Sequence, residues 1–160
     1  MTIKTFQNYA LCCFAIVCLL SCNKRADYYN TLLQVESQIE ENPQEALTTL
    51  QQIDTDNLSG RRTRAKYSLL YSIALDKNYI DTTDIEILQP AIAYYGKKGT
   101  PTDKLKTLYY QGRIYYNRGD EAQAMEYYLN ALEKGEKSND ILTKARIYVS
   151  QGTIYNQLYE

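Results

Sequence analysis

The chain has 160 residues, a formal net charge of −1, no histidine and 17 tyrosines. The lack of histidine excludes Ser-His-Asp and Cys-His catalysis and removes the commonest metal ligand. A charge this close to neutrality gives little attraction for phosphate, so we expect no nucleic-acid partner, and we expect no metal, no cofactor and no enzymatic activity.

Residues 1–22 have the pattern of an export signal. Lys4 supplies a positive start, residues 9–20 are apolar and uncharged, and small residues precede Cys22. A retained membrane-spanning helix is the alternative, but it needs about 20 mainly apolar residues. Polar residues on both sides leave barely a dozen here, so the pattern favours the signal.

The four residues Leu19-Leu20-Ser21-Cys22 resemble the lipobox of bacterial lipoproteins. The resemblance implies that Cys22 is lipidated and holds the protein on a membrane of the cell envelope, since two or more acyl chains give stable anchoring. All four cysteines lie at or before residue 22, so no disulfide is expected in residues 23–160. The basic Lys24 and Arg25 after the cysteine favour the periplasmic face.

Residues 23–160 carry helix signals and almost no strand signals, which predicts an all-α fold. A first helix is expected over residues 26–40, where Glu41-Asn42-Pro43 ends it. Pro43 suits the first turn of a second helix. The apolar face of that helix is Ala46, Leu47, Leu50 and Ile53, and a third helix is predicted from about Arg61 to Lys77.

The next helix contains Pro90, which cannot sit in a helix interior without losing a hydrogen bond. Two interpretations stay open. Either Asp81-Thr82-Thr83 caps a helix that is kinked at Pro90, or residues 84–89 form a short separate turn and the main helix starts at Pro90. In both cases Ala91 and Tyr95 place a small residue and an aromatic ring on one helix face.

The clearest unit covers residues 105–138. Its first helix, with Leu105, Leu108, Gly112 and Tyr115, is joined to a second helix by the turn at residues 117–120. Its Gln-Gly-x-Ile-Tyr sequence at residues 111–115 recurs at residues 151–155, forty positions later, in an incomplete unit at residues 139–160. There the corresponding face is Ala145, Tyr148, Gly152 and Tyr155.

A glycine inside a helix costs roughly 1 kcal/mol relative to alanine, so Gly112 and Gly152 imply a packing benefit. We expect both to lie where two helices cross closely. Small residues at Gly112 and Ala124 then leave room for the rings of Tyr115 and Tyr128.

Residues 105–138 resemble a tetratricopeptide repeat through Gly112, Tyr115, Gly119, Ala124, Tyr128 and Ala131. Leu108, Gln111 and Glu136 depart from the usual Trp, Leu and Pro of that family. The resemblance implies an α-solenoid of antiparallel helix pairs, with about three pairs and an unpaired C-terminal helix. It covers residues 23–160 as one repeat domain.

In tetratricopeptide proteins the first helix of each pair lines the concave surface where a protein or peptide partner binds. Carried onto this chain, the exposed partner-binding positions are Tyr109, Arg113, Tyr116 and Asn117, with Val149, Thr153 and Asn156 in the next unit. The Lys and Asn pair that some members use to clamp a terminal carboxylate is replaced by Tyr109 and Arg113. Adjacent tyrosines such as Tyr109-Tyr110 are expected to place one ring on a second face.

The leading hypothesis is therefore a non-enzymatic interaction scaffold, lipid-anchored in the bacterial envelope. A first alternative is the periplasmic sensory fragment of a membrane-bound signalling regulator with tetratricopeptide repeats, favoured by the apolar face of the last helix. A second alternative is a carbohydrate-capturing outer-membrane lipoprotein, favoured only by the many tyrosines.

Overall fold

A computed structural model of the chain describes residues 28–159, with side chains as far as Gln157. All the regular secondary structure of this part of the chain is helical, which confirms the all-α prediction. The predicted export signal and Cys22 lie outside the described residues. Two short 3₁₀ helices cover Thr55–Asn57 and Ile85–Ile87. The α-helices are α1 (28–38), α2 (Pro43–Gln51), α3 (Arg61–Lys77), α4 (Gln89–Lys98), α5 (Pro101–Asn117), α6 (Glu121–Lys134) and α7 (Ile141–Tyr159).

Local sequence signals fix where several of these helices begin. Proline lies in the first turn of α2, α4 and α5, where no backbone N–H is needed. Thr100 and Asp103 form a capping box at the start of α5, in which each side chain accepts a hydrogen bond from the other residue's backbone N–H. Asp120 caps α6 by accepting from the backbone N–H of Gln123 at 3.0 Å.

The structure decides between the two interpretations of Pro90. Residues 85–87 form a separate 3₁₀ helix, and α4 then begins at Gln89, so Pro90 lies in its first turn and causes no kink. The predicted cap at Asp81-Thr82-Thr83 is wrong. The capping side chain is Asp84, which accepts from the backbone N–H of Glu86 and begins the 3₁₀ helix instead.

One continuous apolar core runs through the described chain from Leu32 in α1 to Ile154 in α7. Among helices α2 to α7 the most extensive contact is between α5 and α6, followed by that between α3 and α4. Helix α5 also contacts α3 on one side and α7 on the other. This packing of successive helices is compatible with a helical solenoid in which α5 occupies the centre.

The contact between α5 and α6 depends on glycine. A methyl group added to Gly112 would lie 2.4 Å from a ring carbon of Tyr128, and one added to Gly135 would lie 2.6 Å from Leu105 Cβ. These two contacts show that α5 and α6 run in opposite directions. Tyr128 is completely buried, as are Ala124 and Ala131 one turn to either side. The predicted close crossing at Gly112 is confirmed.

The equivalent prediction for Gly152 is wrong in the described structure. Gly152 is exposed, and nothing lies within 4 Å of the position a methyl group would take. Tyr148 and Tyr155 on the same face are 62% and 54% exposed. The reason is that α6 supplies the ring that covers Gly112, whereas no described helix covers this side of α7. Instead α7 buries Thr143, Ile147 and Ile154 against the rest of the fold.

None of the described helices is both long enough and apolar enough to cross a membrane.

The two equivalent glycines give a matched pair of variants with opposite expected effects. We expect Gly112→Ala to lower the free energy of unfolding by about 1–3 kcal/mol, because the completely buried Tyr128 ring would have to shift against its neighbours. We expect Gly152→Ala to raise it by up to about 1 kcal/mol, because the methyl group meets nothing and alanine favours the helix. Urea denaturation in dilute solution measures both. Equal effects of the two variants would contradict the packing described for Gly112.

A candidate binding groove between α3, α5 and α7

A cavity of about 450 Å³ opens between the end of α3 and the facing sides of α5 and α7. We call it the groove. Its walls are Asp76 and Tyr79 near the end of α3, Tyr109, Arg113 and Tyr116 of α5, and Ala145, Arg146, Val149, Ser150 and Thr153 of α7.

Five of the seven residues predicted to bind a partner line this groove: Tyr109, Arg113, Tyr116, Val149 and Thr153. Asn117 and Asn156 do not. The side chain of Asn117 instead donates a hydrogen bond to the carbonyl of Thr82 at 3.2 Å, which holds the loop between α3 and α4. Asn156 is exposed further along α7.

Tyr109 was predicted to be exposed, and this is wrong. Only 4% of the residue is accessible, and its ring centroid lies 4.9 Å from that of Tyr110 and 5.8 Å from that of Tyr128. Tyr110 is buried as well, so this doublet places no ring on an open face. The physical reason is that α5 is covered by α3, α6 and α7 together. Tyr109 therefore forms the floor of the groove.

Arg113 is held in place by two neighbours. Its Nε donates to Asp76 Oδ1 at 2.7 Å, and its guanidinium lies 5.7 Å from the ring centroid of Tyr116. Burial acts to lower the pKa of Arg113, but the charge and hydrogen bond of Asp76 outweigh burial and raise it. The Tyr116 hydroxyl in turn accepts a hydrogen bond from Gln157 Nε2 at 3.2 Å. The positive charge in the centre of the groove is thus already compensated.

The second arginine of the groove is paired in the same way. Arg146 donates from both terminal nitrogens to the carboxylate of Glu40, at 2.8 and 3.3 Å, and Lys77 Nζ donates to the same carboxylate. Partial burial acts to raise the pKa of Glu40, but Arg146 and Lys77 outweigh burial and lower the pKa from 4.5 to about 2. This cluster joins the end of α1 to α3 and α7.

A buried hydroxyl lies close to the groove. Burial raises the pKa of Tyr128 to about 12, while Arg113 and Ser150, which both line the groove, act in the opposite direction. The buried ring of Tyr128 thus forms a second aromatic layer beneath Tyr109. Among residues 28–159 no three carboxylates gather into a group that could hold a metal ion.

The groove can bind an uncharged ligand, because the charges of its own side chains are already paired within the chain. Its floor is aromatic, and both arginines are bonded to carboxylates. Its outer wall presents the apolar Val149, which is 70% exposed, and Tyr79, which is 94% exposed. Concave sites with apolar walls and a few fixed polar groups are typical ligand-binding sites.

Asp76 and Tyr79 were not predicted from the sequence, because the partner-binding positions were transferred only onto α5 and α7. Asp76 lies forty residues before Tyr116, so applying the repeat spacing once more, to α3, would have selected it. Comparison with models of known protein families, with curated proteins and with solved structures finds no match in any of the three. What the groove does is therefore inferred from its own geometry and chemistry.

The carboxylate of Glu40 makes stability depend on pH. Its folded pKa of about 2 lies below the ordinary 4.5, so its contribution is complete above about pH 4.5 and is lost as pH falls towards 2. The side chain of Glu40 is 44% exposed, so solvent screens its ion pairs. We expect these pairs to contribute about 1 kcal/mol to the free energy of unfolding. We expect Glu40→Gln to lower the free energy of unfolding by this amount at neutral pH and by progressively less below pH 4.5. Urea denaturation at several pH values measures the difference.

Glu136→Gln is the control, because it removes an exposed carboxylate in the loop before α7. A deficit of Glu40→Gln that stays constant down to about pH 3 would show that the charge of Glu40 does not act through Arg146 and Lys77.

Proposed function

We propose that this chain is a non-enzymatic scaffold with tetratricopeptide-like repeats, which binds a peptide segment of a protein partner in the groove between α3, α5 and α7. The observation that carries the proposal is the groove itself. It lies between the helices that the repeat resemblance assigns to partner binding, and five of the residues chosen from that resemblance line it.

The repeat interpretation has support in how the helices pack. Helices α3, α5 and α7, the first members of successive pairs in that scheme, contact each other in order. Gly112 and Tyr128 make the small-against-large contact that the repeat pattern requires. In this interpretation α1–α2, α3–α4 and α5–α6 are three helix pairs, and α7 is the unpaired first helix of a fourth unit.

The chemistry of the groove favours a peptide with aromatic or aliphatic side chains over an acidic one. Both arginines are engaged by carboxylates, so a ligand carboxylate would have to displace Asp76 or Glu40. Burial of apolar side chains against Val149 and the tyrosine rings is worth about 25 cal/mol per Å². Binding should therefore depend only weakly on salt concentration.

The location is proposed on the residues outside the described part of the chain. An export signal over residues 1–22 and lipidation of Cys22 would place the repeat domain at a membrane of the bacterial envelope, on its periplasmic face. A protein held there by its N-terminus can present the groove to proteins that pass or assemble near the membrane.

Peptide capture tests the groove directly. A peptide library displayed on phage is selected against the full chain, and the enriched peptides are synthesised and measured by fluorescence anisotropy. We expect Val149→Glu to weaken their binding about tenfold or more, because it places an uncompensated charge in the apolar wall. Val149 is exposed, so this change leaves the core intact.

Leu129→Glu is the matched control, since Leu129 is 57% exposed on α6, away from the groove. Peptides that bind wild type and Val149→Glu equally well would show that binding occurs elsewhere, and a library without enrichment would contradict peptide recognition.

The anchor has its own test. In bacteria supplied with a labelled fatty acid, we expect the wild-type chain to incorporate label and to sediment with membranes. We expect Cys22→Ala to incorporate none, because the thiol is the acylation site. Cys18→Ala, which changes a neighbouring cysteine of the apolar segment, is the control and should label as wild type. Equal labelling of the Cys22→Ala variant would exclude this anchor.

A further inference from the structure

Helix α7 carries a regular exposed stripe on the side opposite its buried face. The stripe consists of Ile141, Ala145, Tyr148, Gly152 and Tyr155, which recur at intervals of four and three residues and so lie along one line of the helix. All five are exposed, and the exposed fraction of Ile141 reaches 79%.

Helix α5 carries an equivalent stripe, which is covered by another helix of the same chain. Forty residues earlier, Leu105, Leu108, Gly112 and Tyr115 occupy the same positions of α5, and α6 covers that side. The Tyr128 ring lies on Gly112, and seven residues away Leu105 lies on Gly135. The two helices are antiparallel, and large and small residues face each other.

The stripe of α7 is complementary to itself in that same arrangement. When two copies of α7 lie antiparallel with the two-fold axis passing between Tyr148 and Gly152, position 148 faces position 152 and position 145 faces position 155. Each Tyr148 then lies on Gly152 of the second copy, and each Tyr155 lies on Ala145 of the second copy. We propose that this face of α7 binds a second copy of the chain, as a symmetric antiparallel helix pair.

Two further observations favour this occupant. A methyl group on Gly152 would meet nothing within 4 Å, so a ring can approach the backbone there as Tyr128 approaches Gly112. The two charged residues of α7 are already engaged within the chain: Lys144 donates to the carbonyls of Glu136 and Ser138, and Arg146 pairs with Glu40. Pairing of the stripes therefore buries no free charge.

The length of the stripe limits how tightly two copies can bind each other. From Ile141 to Tyr155 the helix rises about 21 Å at 1.5 Å per residue. An interface of one helix against one helix belongs with the small, transient contacts that bury less than about 1,200 Å². We expect a dimer with a dissociation constant in the micromolar range. Ala145 belongs to both the stripe and the edge of the groove, but the pairing of the stripes does not depend on the ligand of the groove.

A pair of variants and their combination test the pairing. Sedimentation of the full chain in a mild non-ionic detergent, at roughly 1 to 200 µM, follows the conversion of monomer to dimer. We expect Gly152→Tyr to weaken the dimer about tenfold or more, because two rings then meet, and Tyr148→Ala to weaken it similarly by leaving Gly152 uncovered. The double variant restores a ring against a small residue and should recover the dimer.

Circular dichroism verifies that each variant is folded, and Leu129→Ala, at an exposed position of α6, should dimerise as wild type. A monomeric wild type over the whole concentration range would overturn the proposal and leave the stripe to a different partner. Unchanged association of Gly152→Tyr would place the contact on another surface. A double variant no better than the single ones would overturn the antiparallel register.

Discussion

The arrangement of helices depends on one contact, in which the buried ring of Tyr128 lies against the backbone of α5 at Gly112. Any side chain at that position would push α6 away from α5. The ring also lies beside Tyr109, which forms the floor of the groove. The position of α6 and the shape of the groove are therefore consequences of the same close approach.

The positive member of three ion pairs recurs every forty residues. Lys66, Lys106 and Arg146 occupy equivalent positions of α3, α5 and α7, and each is paired with a carboxylate: Glu36, Asp140 and Glu40 respectively. The partners come from different parts of the chain. The cation therefore recurs at the same position of α3, α5 and α7, whereas the carboxylate that neutralises it comes from a different part of the chain in each case.

Helix positions were readable from sequence because they depend on local signals. The predicted limits of α3, the start of α2 at Pro43 and the buried face of α2 agree with the structure. The separate turn before Pro90 was one of two open interpretations, since proline alone fits either. Burial of Tyr109 and exposure of Gly152 depend on how many neighbours a helix acquires, which periodicity within one helix does not encode. Predicting that α3 forms a wall of the groove would have needed the forty-residue spacing to be applied once more, from α5 back to Asp76.

Glu40 and Arg146 are separated by 106 positions along the chain, yet their side chains form a hydrogen-bonded ion pair. In stacked repeats most contacts join near neighbours, so terminal units can fray and unfold one after another. The hydrogen bond from Glu40, just after α1, to Arg146 of α7 connects the first described helix to the last. Loss of order at one end removes this bond from the other end, which couples the two ends of the fold by about 1 kcal/mol.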